Sequence, residues 1–372
     1  MKQTLKFICL AVLALTLSGC GQKALVPENT VVATYVELER FYESGTHFAR
    51  VIISELPVSS RSQAVKDLEH VLKCIDKYKD SLSPQWAVIA LGGSFHDVLR
   101  APYEHIAVAV RIDADETTAK DKLREWVVER TGKEDAEPLT RGDTDIYDVY
   151  SLYAGRIADD YLVFATSKES FWNMFNLYTG ETKPSKEFKD LSRISGNTVA
   201  RVATAPVCNL ITRFNLAQKV AEFGETCNDA DLADLVLNLG AATLDILADG
   251  DDFGLSLRVN CGSPSDAKTL EHVFQAAAFI SRTGFDVGAY LAENPDLVGG
   301  FLLPYKDRIR AARDFLNSAT RSVDIAAARD GDTAEMTFAT SIRIIAKAFM
   351  RNGFSDGETR AAPEPRNSPR RP

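Results

Sequence analysis

An internal repeat limits the folds available to this chain more than any other feature of its sequence. Three segments of the first half recur, in the same order, in the second half: "NTVVATYVELERF" from Asn29 with "NTVARVATAPVCNLITRF" from Asn197, "RIDADETTAKDKL" from Arg111 with "RVNCGSPSDAKTL" from Arg258, and "FATSKESFWNMF" from Phe164 with "FATSIRIIAKAF" from Phe338. The offsets are 168, 147 and 174 residues. One shared word can arise by chance, but three in register predict two copies of one structural unit.

The start of each copy reads as a β-branched strand followed by two helical stretches. The helices are predicted over 37–56 and 62–82 in the first copy, and over 206–224 and 229–239 in the second. A hairpin follows in each copy, and in the second copy Asp-Gly marks its turn.

The remainder of each copy reads as a helix, a second hairpin and a closing helix. The middle helix begins near Glu116 or Pro264, and the closing helix begins at Ser167 or Ser341. In the first copy, "TDIYDVY" and "DYLVFAT" are predicted to form the second hairpin. The sequence therefore predicts an α+β fold of two tandem β-αα-ββαββα units, with antiparallel sheets and helices packed on one face.

These matches set the predicted domain boundaries. The first repeat covers residues 29–195 and the second covers 196–354, with an insertion at 284–319 between its middle helix and its last hairpin. The tail at 355–372 has four prolines, four arginines and no large apolar residue, which predicts disorder.

The insertion is the segment in which we expect a partner contact, because long insertions are often functional and the repeat does not require this one. Its "VGGFLLPY" segment holds the candidate contact residues Phe301, Leu302, Leu303 and Tyr305. Alternatively, these four residues cover the second sheet and are buried.

The N-terminus has the pattern of a secretory signal. Lys2 and Lys6 precede an apolar stretch over 7–17, which is too short to span a bilayer as a stable helix. An ordinary signal peptide cut near residue 20 is one interpretation.

The segment Leu17-Ser18-Gly19-Cys20 resembles the lipobox of bacterial lipoproteins. The resemblance implies that residues 1–19 are a signal peptide, that Cys20 receives lipid, and that 20–28 form a lipidated tether to a membrane. Gly21 after the anchor resembles the signal for the outer membrane in enteric bacteria. Over 27–354 the repeat is also similar to a widespread bacterial envelope domain of unknown function, a resemblance that transfers no active site.

Composition limits the partners and the thiol chemistry. The formal charge of −9 becomes about −11 once two signal-peptide lysines are removed, which argues against nucleic acid or anionic lipid as a partner. Beyond Cys20 the cysteines are Cys74, Cys208, Cys227 and Cys261. If Cys208 and Cys227 lie on one helix, their Cα atoms are about 28 Å apart, too far for a disulfide.

A search for catalytic motifs yields only weak candidates. Ser265 and Lys268 fit an S-x-x-K pattern, but Ser263 and Pro264 explain the segment as the start of a helix. Gly92-Gly93 and Gly299-Gly300 are isolated pairs with no phosphate-binding motif around them.

The histidines give two further candidates. His70 and Cys74 are four residues apart on a predicted helix, without a second pair to complete a metal site. His96 and His105, with Asp97 and Glu104, form the best acid–base candidate, although a polar loop between two strands explains them more simply. No catalytic residue, metal or cofactor is therefore predicted.

The leading hypothesis is a membrane-anchored envelope lipoprotein that binds an envelope protein or a cell-wall component and is not an enzyme. The alternative is a lipid-anchored periplasmic hydrolase with a site between the two repeats. A transporter's substrate-binding lipoprotein is disfavoured, because those proteins alternate strands and helices and here the strands come in pairs.

Overall fold

Helices and strands alternate along the chain in blocks. The computed structural model describes residues 24–55, 58–93, 105–132, 138–141, 144–150, 152–157, 160–227, 230–294 and 313–345. The strands are β1 (Thr30–Glu37), β2 (Trp86–Gly92), β3 (Ile106–Arg111), β4 (Leu139–Arg141), β5 (Thr144–Val149), β6 (Leu152–Ile157), β7 (Tyr161–Ala165), β8 (Thr198–Thr204), β9 (Leu239–Asp249), β10 (Asp252–Cys261), β11 (Asp324–Asp330) and β12 (Thr333–Ser341). The helices are α1 (Leu38–Glu55), α2 (Val58–Leu82), α3 (Glu116–Thr131), α4 (Lys168–Tyr178), α5 (Val207–Arg213), α6 (Ala217–Cys227), α7 (Ala230–Leu237), α8 (Pro264–Glu293) and α9 (Arg313–Ser322).

All of these strands belong to one antiparallel sheet. Its order is β11-β12-β10-β9-β8-β1-β2-β3-β7-β6-β5-β4, so β1 and β8 lie side by side at the junction of the two halves, where Thr34 is paired with Val202. The α+β class predicted from the sequence is confirmed. The expectation of separate sheets is wrong, because the first strand of the second half pairs with the first strand of the first half.

The predicted unit differs from the structure in two places. In the first half, "TDIYDVY" and "DYLVFAT" do not pair with each other, because β6 lies between them, and β4 adds a further strand at the edge. In the second half, three helices rather than two join β8 to β9. Strand β6 was not predicted because Gly155 and Arg156 interrupt the alternation of apolar and polar residues that indicates a strand.

The extra helix arises because the helix predicted over 206–224 is broken into two. Asn215 has a left-handed backbone (φ 55°), which ends α5 before α6 begins. The distance of about 28 Å between Cys208 and Cys227 assumed a continuous helix, so that estimate does not apply. The thiols of Cys208 and Cys261 are free.

Three helix starts agree with the sequence analysis. The side chains of Asp115, Ser167 and Ser263 each accept a hydrogen bond from a backbone N–H in the first turn of α3, α4 and α8. The insertion expected from residue 284 begins inside α8, which runs on to Glu293 and packs against α9.

Helices cover both faces of the first half, and the prediction of one covered face is wrong. Val108 and Val110 of β3 point to a core shared with α1, α2 and α3. Ala107 and Ala109 point the opposite way, to a core shared with α4. Adjacent residues of a strand face opposite sides, and both sides of β3 are apolar, so both need a cover.

In the second half, the face that α4 covers in the first half carries charges. Arg201 donates two hydrogen bonds to Asp245 (Nε to Oδ1 2.6 Å, Nη2 to Oδ2 2.9 Å), and Arg258 pairs with the same carboxylate. Asp245 is 4% exposed. Arg201 also donates to the backbone oxygens of Asp190 and Arg193. These bonds join β8, β9 and β10 to the segment that precedes β8.

We expect Asp245→Ala to lower the free energy of unfolding by about 3 kcal/mol or more, because it leaves a guanidinium buried without its partner. Replacing Arg201 and Asp245 together with Met and Leu should cost much less, since only Arg258, whose side chain is 39% exposed, then loses its partner. Asp249→Ala, at an exposed position of the same strand, is the control. Urea denaturation measures all three, and equal stabilities for Asp245→Ala and the control would contradict this role.

Candidate functional site

The candidate site lies where the ends of several elements meet beside the junction of the two halves. The start of β1, the end of β2 and the start of β3 are brought together by strand pairing, and Gly92 N donates to His105 O at 3.1 Å. The first turn of α4 and the whole of α5 border the same place. Two adjoining depressions result, and Asn29 lines both.

The smaller depression, which we call the His105 cleft, encloses about 20 Å³. Its polar lining residues are Asn29, Thr30, His105, Glu169, Ser170 and Asn173. A cavity needs roughly 10–15 Å³ of such volume to hold one water molecule. The cleft therefore has room for a water molecule or for one small polar group of a ligand.

Gly93 shapes the wall of the His105 cleft. Its backbone has a φ of 103°, and a Cβ at this position would lie 3.1 Å from the imidazole ring of His105. Only glycine meets both conditions without strain.

Thr30 contributes a buried hydroxyl to the cleft. The residue is 1% exposed, and its Oγ1 has no hydrogen-bond partner among the described residues. An unsatisfied buried hydroxyl costs about 1–3 kcal/mol. Thr30 therefore places an unsatisfied polar atom in the wall of the cleft.

The larger depression, which we call the junction groove, has a volume of about 590 Å³. Its lining residues are Glu28, Asn29, Glu187, Ala205, Asn209, Leu210, Thr212 and Arg213. Arg213 Nη2 donates to the backbone oxygens of Asn29 (2.7 Å) and Gly93 (3.4 Å), and Asn209 Nδ2 donates to Glu187 Oε1 (2.7 Å). The groove thus presents the Glu187 carboxylate and the Arg213 guanidinium, each of which is held in place by a hydrogen bond between the two halves.

The arrangement does not assemble a nucleophile and a base. Within the described part of the chain, no hydrogen bond joins the His105 ring to Ser170 or Glu169. The Ser170 hydroxyl instead accepts a hydrogen bond from Ser167 Oγ at 2.9 Å. The described ranges also contain no cluster of three His, Cys, Asp or Glu side chains that could hold a metal ion. The lining offers hydrogen-bonding and ionic groups to a ligand.

Several residues singled out from the sequence lie outside the described residues. These are Cys20 and its signal peptide, His96 with Asp97 and Glu104, the contact candidates Phe301, Leu302, Leu303 and Tyr305, and the tail at 355–372. His105 is described, and the titratable side chain that shares its cleft is Glu169. Phe171 and Phe175 are buried in the core.

Sequence reasoning missed Thr30, Ser170, Asn209 and Arg213 as site residues. Each is a common residue type without a motif, and they come from three distant parts of the chain, so spacing could not group them. The Gly92-Gly93 pair was the available signal. By its sequence this pair is only an isolated one without a phosphate-binding motif, whereas in the structure Gly93 leaves room for the ring of His105, the residue before β3.

Comparisons with known proteins give distant structural similarity only. No protein-family model and no curated protein matches the chain. Crystal form IV of TP0453 is 10% identical, with 88% of this chain and 97% of that chain covered and a TM-score of 0.38. Crystal form III of TP0453 is 12% identical, with 91% and 97% covered and a TM-score of 0.35. Similarity at this level carries no inference about the function of this chain.

We expect Thr30→Val to leave stability unchanged or to raise it by about 1 kcal/mol, because it replaces an unsatisfied buried hydroxyl with a methyl group of similar size. Thr166→Val is the matched control. Thr166 Oγ1 accepts from Ile106 N (3.1 Å) and donates to Ile106 O (3.2 Å), so its loss should cost about 1–2 kcal/mol. Chemical denaturation compares them, and equal losses in both variants would show that Thr30 has a partner.

Proposed function

We propose that this protein is a lipid-anchored binding module of the bacterial cell envelope and not an enzyme. Lipid on Cys20 holds it at a membrane, and the junction groove binds a protein or cell-wall component there. The lipobox-like segment supports the anchor. The polar groove, without a hydrogen-bonded nucleophile and base beside it, supports binding rather than hydrolysis. None of the described helices is long and apolar enough to cross a membrane.

The observation that carries the proposal is the burial of the chain immediately after the anchor. Ala24 is 8% exposed and Val26 is 1% exposed, and both belong to the same apolar cluster as Trp86. The Tyr178 hydroxyl lies 3.3 Å from both the backbone nitrogen and the backbone oxygen of Leu25, with which it makes hydrogen bonds. Residues 20–28 are therefore not a free tether over their whole length.

This burial orients the groove with respect to the membrane. Four residue steps separate Cys20 from Ala24, so a fully extended chain places the lipidated sulfur within roughly 14 Å of Ala24. Glu28, two residues after Val26, already lines the junction groove. The anchor thus holds the groove close to the bilayer surface, where its partner must be reached.

We also propose that the two halves are copies of one unit. Outward from β1 the strands run β2, β3, β7, β6, and outward from β8 they run β9, β10, β12, β11, which is the same order in each half. Phe164 and Phe338 lie on β7 and β12, the corresponding strands. The central register agrees with the offset of 168 residues, because Val32 pairs with Thr204 and Val36 pairs with Ala200.

We expect Cys20→Ala to abolish labelling by a radioactive fatty acid and to move the protein from the membrane to the soluble fraction. Cys208→Ala is the control, because its thiol is free and only partly buried. An ordinary signal peptide would leave the natural protein unlabelled, and unchanged membrane partitioning of the Cys20→Ala variant would refute the anchor.

A photo-crosslinking amino acid placed at Thr212, an exposed groove residue, should give an adduct of defined mass in intact cells. The same group at the exposed Lys219 of α6, away from the groove, should give none. The adduct should weaken in the Cys20→Ala background, because the groove is then no longer held at the membrane. A second groove position, Asn209, can carry the same crosslinking group. Equal adducts at Thr212 and Lys219, or no adduct at either Thr212 or Asn209, would count against the groove as a binding site.

A further inference from the structure

Helix α8 is apolar on two opposite sides, and only one of them is covered. The covered side packs Ala267, Leu270 and Phe274 on the sheet and buries Ala289 and Ala292 farther along. The opposite side exposes five large apolar side chains: Val273 (48%), Phe279 (70%), Ile280 (69%), Val287 (50%) and Tyr290 (58%). Nine large apolar side chains are exposed among the described residues. Five of these nine side chains thus lie on one helix.

These residues form a continuous stripe, which we call the α8 stripe. At 100° per residue, the stripe comprises Thr269, His272, Val273, Ala276, Phe279, Ile280, Thr283, Val287 and Tyr290, with Ala277 and Gly284 along its edge. The charged residues of α8 lie to its sides or behind it. From Thr269 to Tyr290 the stripe is about 32 Å long. A continuous exposed apolar surface of this kind marks an interaction site, so the α8 stripe indicates a partner.

The spacing along the stripe indicates that the partner is another helix. Val273, Ile280 and Val287 are seven residues apart, the repeat of a helix that packs against a second helix. Small residues separate them: Ala276 and Ala277 on one side of Ile280, and Thr283 and Gly284 on the other. Small residues at these positions allow two helices to approach closely.

The stripe is also self-complementary about Ile280. Read outward in either direction, it presents a small residue at the third and fourth positions and valine at the seventh. In an antiparallel pair of α8 helices, Ile280 meets Ile280 of the second copy, and Val273 meets its Val287. An identical surface that matches itself in this way is what a two-fold symmetric interface needs.

The charges beside the stripe are complementary in the same arrangement. Lys268 lies twelve residues before Ile280 and Glu293 lies thirteen after it, on the same flank of the helix. His272 lies eight residues before Ile280, at the edge of the stripe that adjoins this flank, and Asp286 lies six residues after Ile280 on the flank. An antiparallel pair therefore brings Lys268 near Glu293 of the second copy, and His272 near its Asp286, at both ends of the contact.

We propose that this protein forms a symmetric dimer in which α8 of each copy packs antiparallel on α8 of the other, with Ile280 at the two-fold axis. The surface is distinct from the junction groove and from the lipid anchor. The dimer would leave the junction groove of each copy unoccupied.

Cysteine crosslinking in membranes containing the full-length protein tests both the contact and its direction. Ile280→Cys should give a disulfide-linked dimer on mild oxidation, because the two sulfurs meet at the axis. Gln275→Cys, exposed on the same helix but off the stripe, should give no more dimer than the natural protein, whose own cysteines supply the background. If Ile280→Cys gives no more dimer than the natural protein, the proposal is overturned.

A mixed experiment fixes the direction. Val273→Cys and Val287→Cys copies should link to each other when coexpressed, and neither should link to itself, because like residues are about 21 Å apart in an antiparallel pair. Self-linking of both variants would indicate a parallel pair and overturn the proposal.

Ile280→Glu gives an independent readout. The side chain is exposed, so the fold should be retained, whereas each dimer would bury two unpaired carboxylates. In sedimentation measurements on the full-length protein we expect self-association to weaken by about a hundredfold or more, which corresponds to about 2.7 kcal/mol. A natural protein that is monomeric at micromolar concentration would contradict the dimer and leave the stripe to another partner.

Discussion

The antiparallel pairing of β1 with β8 is the interaction on which the rest of this structure depends. Without it, each half would expose the backbone hydrogen-bonding groups of its first strand at a sheet edge, which invites association with other chains. With it, the sheet runs unbroken from β11 to β4. Tyr35 of the first half and Ala203 of the second half then share one apolar cluster. The two halves therefore fold as one body around the paired strands β1 and β8.

The same pairing creates the junction groove. Because β1 and β8 are antiparallel neighbours, the segment before β1 and the segment after β8 leave the sheet at the same end, where Ala205 N donates to Val31 O at 2.9 Å. Arg213 reaches from the second half to backbone oxygens of the first, and the buried stretch from Ala24 to Val26 brings the proposed anchor to the same end. The proposed binding site and the proposed attachment point are thus neighbours as a consequence of topology, as a module that meets its partner at a membrane surface would need.

Local signals in the sequence predicted most of the local structure, and most of the failures share one physical cause. The side-chain caps at Asp115, Ser167 and Ser263 could be predicted because each depends on residues within one turn. Three features depend on contacts between distant segments, which the periodicity of a sequence does not report. They are the joining of the strands into one sheet, the position of β6 between β5 and β7, and the covering of both faces by helices. The candidate site was missed for the same reason, since Thr30, Ser170 and Arg213 are brought together only by strand pairing. The exposed side of α8 was likewise hidden, because an apolar helix gives no indication from sequence of which side the sheet will cover.

Amide hydrogen exchange followed by mass spectrometry tests the central claim most directly. In one continuous sheet, β1 and β8 are interior strands whose amides are bonded on both sides, so their peptides should exchange among the slowest in the protein, while the edge strands β4 and β11 exchange much faster. If the halves were instead separate bodies with independent sheets, β8 would be an edge strand. Exchange of β8 peptides as fast as those of β11, while β9 and β10 stay protected, would contradict the account.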